Sequence, residues 1–176
     1  MAPLAPFQGR RLTLALAVRS KKDLSMELKY RSAKSEDLES LVTLLSKDPL
    51  GSQREDSTIP LNSAYIAAFE AIERDPNNEL LVVELGSSLV GMLQITFIPY
   101  LTHKGSWRCL IEGVRIHSDY RGQGFGEKMF EHAISLAKNK GCTIVQLTSD
   151  KQRPDAIRFY EKLGFKATHE GFKLTL

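Results

Sequence analysis

The chain has 176 residues, of which 42% are apolar and 26% are charged, as is ordinary for one globular domain with a buried core. It contains no apolar run near the roughly 20 residues that a membrane-spanning helix needs. Its two cysteines, Cys109 and Cys142, show neither a CxxC nor a Cys/His spacing, which argues against a disulfide framework and a zinc site. We therefore expect a cytoplasmic protein that has no membrane partner and binds no metal.

The net charge of +3 is concentrated at the N-terminus. Residues 1–22 carry five basic residues and no acidic one, which leaves 19 basic against 21 acidic residues, a net charge of −2, in residues 23–176. A nucleic-acid-binding domain usually shows a basic patch or stripe, and the body of this chain has none in its sequence. The sequence thus predicts no nucleic-acid partner.

Residues 1–25 are treated as a leader or extension that need not be ordered. They hold two of the seven prolines and no acidic residue before Asp23, a composition that transit peptides share. Three interpretations stay open: a targeting segment, an upstream extension of a reading frame whose natural start is Met26, or an extra strand formed by LTLALAV. We favour the extension, because LKYRSA after Met26 already has the pattern of a first strand.

Residues 26–176 form the predicted domain, and apolar periodicity places its elements. The predicted strands cover about residues 27–32, 79–85, 89–98, 107–117 and 143–149, and FKATHEGFKLTL predicts a closing hairpin. The predicted helices cover about residues 35–47, 61–74 and 153–163, together with a long helix that follows the glycine-rich stretch RGQGFG. The chain therefore indicates an α/β domain.

Three glycines, Gly122, Gly124 and Gly126, lie where a predicted strand gives way to the long helix. A helix N-terminus presents backbone N–H groups to a phosphate, and glycine lets the phosphate come close. The stretch lacks the lysine of the Walker loop and has a different glycine spacing from the Rossmann fingerprint. Taken alone, the cluster is also compatible with a tight turn that binds nothing.

Two motifs in register resemble the GNAT superfamily of N-acetyltransferases. Arg121-Gly122-Gln123-Gly124-Phe125-Gly126 matches the R-x-x-G-x-G/A pyrophosphate loop of that family, and VRIHSDY at 114–120 resembles the lead-in to it. AIRFYEKLGF at 156–165 resembles the second signature, A-x-x-F-Y-x-x-x-G-F. The chain departs from the pattern at Ser118, where the family often has proline, and at Arg153, where many members have asparagine. The resemblance implies a GNAT-like mixed, mostly antiparallel sheet of six or seven strands flanked by about four helices.

The same resemblance implies acetyl-coenzyme A as cosubstrate. The pyrophosphate would contact the loop and the start of the helix, and the pantetheine arm would pair with the backbone of the preceding strand. The predicted cofactor-binding residues are Val114, Arg115, Ile116, Arg121, Gly122, Gln123, Gly124, Phe125, Gly126 and Glu127.

Two residues are candidates for acid and base catalysis. Tyr160 matches a family tyrosine near the coenzyme A sulfur, and a phenol can protonate a departing thiolate. Glu112 shares a predicted strand face with Leu110 and Val114, so we expect it to be buried, and burial raises the pKa of a carboxylate towards the range useful for a base. A structural ion pair of Glu112 with Arg108 or Arg115 is the alternative.

The predicted function is transfer of an acetyl group from acetyl-coenzyme A to a primary amine of a small molecule. Lys104, Arg108 and Arg115 are the candidates for binding an anionic group on that molecule. The alternatives are a protein or peptide N-acetyltransferase and a non-catalytic acyl-coenzyme A-binding regulator. A homodimer is left open.

Overall fold

The computed structural model describes residues 27–47 and 50–176. The leader or extension at residues 1–25 lies outside these ranges, so the three interpretations of it stay predictions. None of the described helices has both the length and the apolar character of a membrane span.

Five strands form one sheet in which spatial order follows chain order. The strands are β1 (Leu28–Ser32), β2 (Asn78–Leu85), β3 (Ser88–Pro99), β4 (Trp107–Ile116) and β5 (Cys142–Leu147). The pairs β1–β2, β2–β3 and β3–β4 are antiparallel, whereas β4 and β5 are parallel. The mixed, mostly antiparallel character that the resemblance implies is thereby confirmed.

The helices lie in the connections between the strands. They are α1 (Leu38–Ser46), α2 (Ser63–Arg74), α3 (Thr102–Gly105), α4 (Phe125–Asn139) and α5 (Pro154–Lys162). Helix α3 is not predicted by the apolar periodicity. It is a single turn in which His103 and Lys104 have left-handed φ angles of 53° and 62°. The other four helices are those expected from periodicity.

The expected count of six or seven strands is wrong, since the described sheet has five. The predicted closing hairpin is absent from the described residues, and residues 166–176 contain no strand. Phe172, Leu174 and Leu176 alternate as they would in a strand, yet each is almost fully exposed. Strand formation depends on pairing and packing more than on the pattern of one segment, and this segment obtains neither.

Each face of the sheet carries its own apolar cluster. Leu81 and Val83 of β2 belong to one cluster and Val82 to the other, because successive strand residues point to opposite faces. On the first face, α4 buries a helical stripe made of Met129, Phe130, Ala133 and Ala137. On the second face, Leu41 and Leu44 of α1 pack on Val82 and Met92. We call these the α4 face and the α1 face.

The start of α1 is fixed to the sheet by Arg31 of β1. Its guanidinium donates to the Asp37 carboxylate at 2.6 and 2.9 Å and to the Glu84 carboxylate at 2.6 and 3.0 Å. The Lys34 backbone N–H also donates to Asp37, at 2.7 Å. The hydrogen bonds from Arg31 are the main reason why the pKa of Asp37 lies below its usual value. Helix α1 is therefore held in a defined place on its face of the sheet.

A β-bulge interrupts β4 at Gly113 and Val114. Glu112 is opposite Gln94 and Arg115 is opposite Met92, so two residues of β4 face the single Leu93 of β3. Gly113 has a φ of +60°, which favours glycine. The extra residue reverses the alternation of side chains beyond this point.

The bulge coincides with the point where β4 and β5 separate. Their parallel pairing runs from Trp107 opposite Cys142 to Ile111 opposite Leu147 and does not include residues 112–116. The last five residues of β4 therefore have β3 on one side, and no strand of the described residues pairs with them on the other.

Close approach of β3 and β4 beside the bulge requires glycine at position 91. A Cβ atom there would lie 2.7 Å from Ile116 Cδ1 and 2.9 Å from the Arg115 carbonyl oxygen, and the latter is backbone that cannot rotate away. We expect Gly91→Ala to lower the free energy of unfolding by about 1–3 kcal/mol, the usual cost of overpacking. Thermal unfolding measures this as a lower midpoint, by roughly 2–4 °C per kcal/mol.

Gly171→Ala is the matched control, because a Cβ atom at Gly171 would meet nothing within 4 Å. We expect its stability to stay within about 0.5 kcal/mol of the parent. Equal midpoints for the two variants would contradict the close approach at Gly91.

Candidate functional site

The glycine loop forms an open cradle in front of α4. Gly122 and Gly124 have φ angles of +72° and +80°, and a Cβ atom at either position would meet nothing within 4 Å. Residues 121–124 are exposed, and α4 begins at Phe125 directly after them. The first N–H groups of a helix have no acceptor within the helix, so they are available to an anion here. The cradle therefore suits a phosphate group.

Side chains of the loop hold it against the end of β4. Arg121 Nε donates to the Ile116 carbonyl oxygen at 3.0 Å, and Gln123 Nε2 donates to the Asp119 carbonyl oxygen at 2.8 Å. These bonds connect the cradle to the strand whose backbone is predicted to pair with the pantetheine arm.

Two predicted cofactor residues of the first turn of α4 contact α5. The Glu127 carboxylate forms an ion pair with Lys162. A Cβ atom on Gly126 would lie 3.2 Å from the Phe159 ring, so the third glycine permits the packing of α4 against α5. The packing of the two helices therefore explains the glycine at position 126 independently of a ligand.

The separated end of β4 presents backbone groups towards the gap beside β5. The His117 N–H donates to the Val90 carbonyl oxygen at 2.9 Å, so by alternation the backbone groups of Val114 and Ile116 point away from β3. The Val114 carbonyl oxygen accepts from Arg115 Nη1 at 2.8 Å. The backbone N–H groups of Val114 and Ile116 face the side where a pantetheine arm is expected. The side chain of Arg115, unlike those of Val114 and Ile116, lies on the α1 face, where it is buried with 7% exposure.

Tyr160 lies on the α4 face of the sheet. Its ring packs between those of Phe130 and Phe165, with centroids 5.6 and 6.1 Å away. Val114 and Ile116 pack against the same apolar cluster. Burial raises the pKa of the phenol, and the positive charges of Arg153 and Arg115 oppose this only in part. The phenol is therefore protonated at neutral pH, as a proton donor must be.

Glu112 is exposed, and the expectation that it is buried is wrong. Regular alternation places Glu112 on the α1 face with Leu110, but the helices of that face leave it exposed. The bulge then turns Val114 to the other face. No ion pair in the described part of the chain joins Glu112 to Arg108 or Arg115, so the structural alternative gains no support. A catalytic role for Glu112 remains a prediction that burial does not support.

The two catalytic candidates lie on opposite faces of the sheet. Tyr160 is on the α4 face with the pantetheine-pairing strand end, and Glu112 is on the α1 face. The pairing of β4 with β5 ends at Ile111, directly before Glu112.

A cleft of about 380 Å³ lies on the α1 face, and we refer to it as the α1 cleft. It is lined by Glu39, Ser40, Thr43, Leu44, Lys47, Ser57, Ile59, Leu89 and His117. None of these residues is among the predicted site residues. The missed signal is the spacing of the polar residues Ser40, Thr43 and Lys47, which places them on one face of α1.

The cations predicted to bind an anionic group lie elsewhere. The Arg108 guanidinium lies 5.2 Å from the centroid of the Tyr100 ring, and Lys104 is exposed in α3. Neither these two nor Arg115 lines the α1 cleft. Within residues 27–47 and 50–176, no group of His, Cys, Asp or Glu is placed to hold a metal ion.

Comparison with known proteins identifies the family and its relatives. The model of the acetyltransferase (GNAT) family matches residues 38–165. Aminoalkylphosphonate N-acetyltransferase of Salmonella typhimurium is 26% identical over 164 residues, which cover 92% of this chain and 99% of that protein. Glucosamine 6-phosphate N-acetyltransferase of Trypanosoma brucei brucei is 33% identical over 88 residues, 50% of this chain and 58% of that protein.

A crystal structure is also similar to the whole domain. It is described as a transcriptional regulator from Bacillus halodurans C-125, with 54% identity and a TM-score of 0.83, and the match covers 85% of this chain and 100% of that one.

The open cradle predicts the effect of a side chain at Gly124. Asparagine tolerates left-handed φ better than most residues, so Gly124→Asn is expected to fold and to fill the cradle. We expect acetyl-coenzyme A to bind this variant about tenfold more weakly or worse, a loss of about 1.4 kcal/mol or more by titration calorimetry. Gly141→Asn is the control, because Gly141 also has a φ of +80° and open space but lies at the other end of α4. Equal affinities would contradict the cradle as the pyrophosphate site.

Proposed function

Since the chain belongs to the acetyltransferase (GNAT) family and is thus an acetyl-coenzyme A-dependent acyltransferase, we propose that it acetylates the primary amine of a small molecule by direct transfer. The observation that carries the proposal is the gap between β4 and β5, with Tyr160 on one side and Glu112 on the other. The cosubstrate can enter from the α4 face while the amine approaches from the α1 face. No covalent enzyme intermediate is needed in such an arrangement.

The residues of the site supply the remaining parts of the reaction. Acetyl-coenzyme A brings the thioester, and its acetyl carbon forms a bond to the amine nitrogen as the carbon–sulfur bond breaks. Glu112 accepts a proton from the ammonium group, directly or through water, so that a neutral amine attacks. The backbone N–H of Val114 donates to the carbonyl oxygen as negative charge develops there. Tyr160 donates its proton to the departing sulfur. The nitrogen loses its second proton as the amide forms, and this proton, passed on through water, restores the Tyr160 phenol.

Two relatives support a small amine as the acceptor. The proteins from Salmonella typhimurium and Trypanosoma brucei brucei are named for an aminoalkylphosphonate and for glucosamine 6-phosphate, both small molecules that carry an amine. A cleft of about 380 Å³ is also of the size that small molecules occupy.

A second candidate function is a non-catalytic acyl-coenzyme A-binding regulator. It is favoured by the 54% identical structure that is described as a transcriptional regulator. Such a protein needs the cofactor cradle but neither an acid nor a base. We propose a cytoplasmic location under either function. Cys109 and Cys142 are free thiols, as is usual in a reducing compartment.

Amine-dependent release of the coenzyme A thiol separates the two functions, and Tyr160 provides the sharpest test. We expect a panel of small amines to raise thiol release above the rate without amine, and Tyr160→Phe to lower kcat by roughly 100-fold, as loss of a general acid does. The affinity for acetyl-coenzyme A should be unchanged.

Tyr30→Phe is the control, because the Tyr30 hydroxyl belongs to a half-buried ring stacked on His132 in another part of the same face. Tight binding of acetyl-coenzyme A with no amine-dependent release would favour the regulator. Release with a Tyr160→Phe rate within about twofold of the parent would overturn the role of Tyr160 alone.

The role of Glu112 predicts a pH-dependent defect. Glu112→Gln removes the proton acceptor, so we expect kcat near pH 7 to fall by roughly 100-fold. The defect should shrink as the pH rises towards the pKa of the amine substrate, because the amine then loses its proton without help from the enzyme. Glu70→Gln, at an exposed position of α2, is the control. A defect of constant size across the pH range would indicate that Glu112 positions the substrate rather than accepting a proton.

A further inference from the structure

The α1 cleft lies on the face from which the acceptor is proposed to approach. Glu112, Arg115 and His117 all point to the α1 face. Glu112 and Arg115 share this face because the bulge lies between them, and His117 follows Arg115 by normal alternation. His117 lines the cleft directly, as does Leu44, whose neighbours in the α1 cluster include Met92 opposite Arg115. The cleft is therefore next to the separated end of β4 and on the Glu112 side of it.

The lining of the α1 cleft has a positive and a negative end. Lys47 and Glu39 are eight residues apart on α1, a distance of about 12 Å along the helix axis. Ser57 belongs to the Lys47 end, because Ser46 Oγ donates to Ser57 Oγ at 3.4 Å. Thr43 lies one turn before Lys47 on the same side of the helix. The Lys47 end thus combines an ammonium group with two hydroxyl groups.

His117 adds a further hydrogen-bond donor to the cleft. Its Nδ1 atom accepts from the Asp119 backbone N–H at 3.4 Å, so the neutral ring carries its proton on Nε2. Either protonation state of the ring therefore offers a donor at Nε2. An oxyanion is the ligand chemistry that accepts from ammonium, hydroxyl and imidazole groups together.

We propose that the α1 cleft binds the acceptor, and that this acceptor carries an oxyanion as well as its amine, with the oxyanion held at the Lys47 end. A carboxylate, a phosphonate and a phosphate share the required chemistry. The inference rests on the proposed acetyl transfer and adds the substrate class and the residues that select it. Lys47 is a specificity-determining residue in this assignment and has no part in the proton transfers.

Matched acceptors test the proposal. The probes are 3-aminopropylphosphonate, 4-aminobutyrate and 3-aminopropanol, which share a primary amine and differ at the other end. We expect kcat/KM to be at least about tenfold higher for one or both anionic amines than for the neutral one. The comparison of the two anionic amines distinguishes a phosphonate from a carboxylate. A preference for 3-aminopropanol would overturn the proposal.

Variants of the cleft locate the selectivity. Lys47→Gln should lower the ratio of kcat/KM for the anionic amine to kcat/KM for 3-aminopropanol about tenfold or more. Lys138→Gln is the matched control, because it removes the same charge from an exposed position in the last turn of α4. The same ratio of anionic to neutral kcat/KM in both variants would overturn the assignment.

A second variant covers a failure of Lys47→Gln to fold. Thr43→Glu places a carboxylate one turn before Lys47, an arrangement that stabilises helices and neutralises the lysine. In this variant, kcat/KM for the anionic amine should fall relative to kcat/KM for 3-aminopropanol, as in Lys47→Gln. Retained selectivity in a folded Thr43→Glu protein would contradict an oxyanion site at this end of the cleft.

Direct binding separates this inference from the proposed function. Titration calorimetry of 3-aminopropylphosphonate and of 4-aminobutyrate into the protein saturated with coenzyme A measures the cleft without turnover. Binding that Lys47→Gln weakens about tenfold, in a protein that acetylates no amine, would refute acetyl transfer and support the oxyanion site. Acetyl transfer with binding that is indifferent to Lys47 would refute the oxyanion site and support acetyl transfer. Absence of both would refute both.

Discussion

The β-bulge in β4 is the constraint on which the candidate site depends. By placing Gly113 and Val114 opposite the single Leu93, it turns Val114 and Ile116 towards α4 and leaves Glu112 and Arg115 towards α1. The pairing with β5 ends at Ile111, directly before the bulge. One extra residue therefore reorients the side chains of β4 and lies directly after the point where pairing with β5 ends. Without the bulge, Val114 would stand beside Glu112 on one face, as simple alternation predicts.

A sheet opened in this way gives two reactants separate approaches to one point. The glycine cradle, the backbone of Val114 and Ile116, and Tyr160 all belong to the end of β4 and the helices that cover the α4 face. Glu112 and the α1 cleft belong to the opposite side. The leaving sulfur needs a proton donor and the incoming amine needs a proton acceptor. The roles proposed for Tyr160 and Glu112 assign one of these groups to each face of the sheet.

Local sequence predicted the parts of the structure whose causes are local. Glycine at positions 122 and 124 reflects left-handed φ angles, and the buried stripe of α4 follows its helical period. The prediction that Glu112 and Val114 share a face was wrong because strict alternation ignored Gly113, although an isolated glycine in a strand pattern is itself a signal of a bulge. The closing hairpin was wrong for another reason. Phe172 and Leu174 alternate correctly, but pairing with a neighbouring strand is a tertiary property that no single segment encodes.

The α1 cleft was missed because its residues, apart from His117 in VRIHSDY, are remote in sequence from the motifs and carry no motif of their own. Lys47 and Thr43 look like an ordinary solvated helix face until the fold places His117 across from them. The predicted cofactor residues come from β4, the glycine loop and α4, whereas the cleft is built mainly from α1 and the segment at residues 57–59. Substitutions in the latter can change the acceptor without disturbing the cradle or Tyr160. A fold arranged in this way can keep one reaction while its substrate varies, which explains why the motifs indicate acetyl transfer but do not specify the amine.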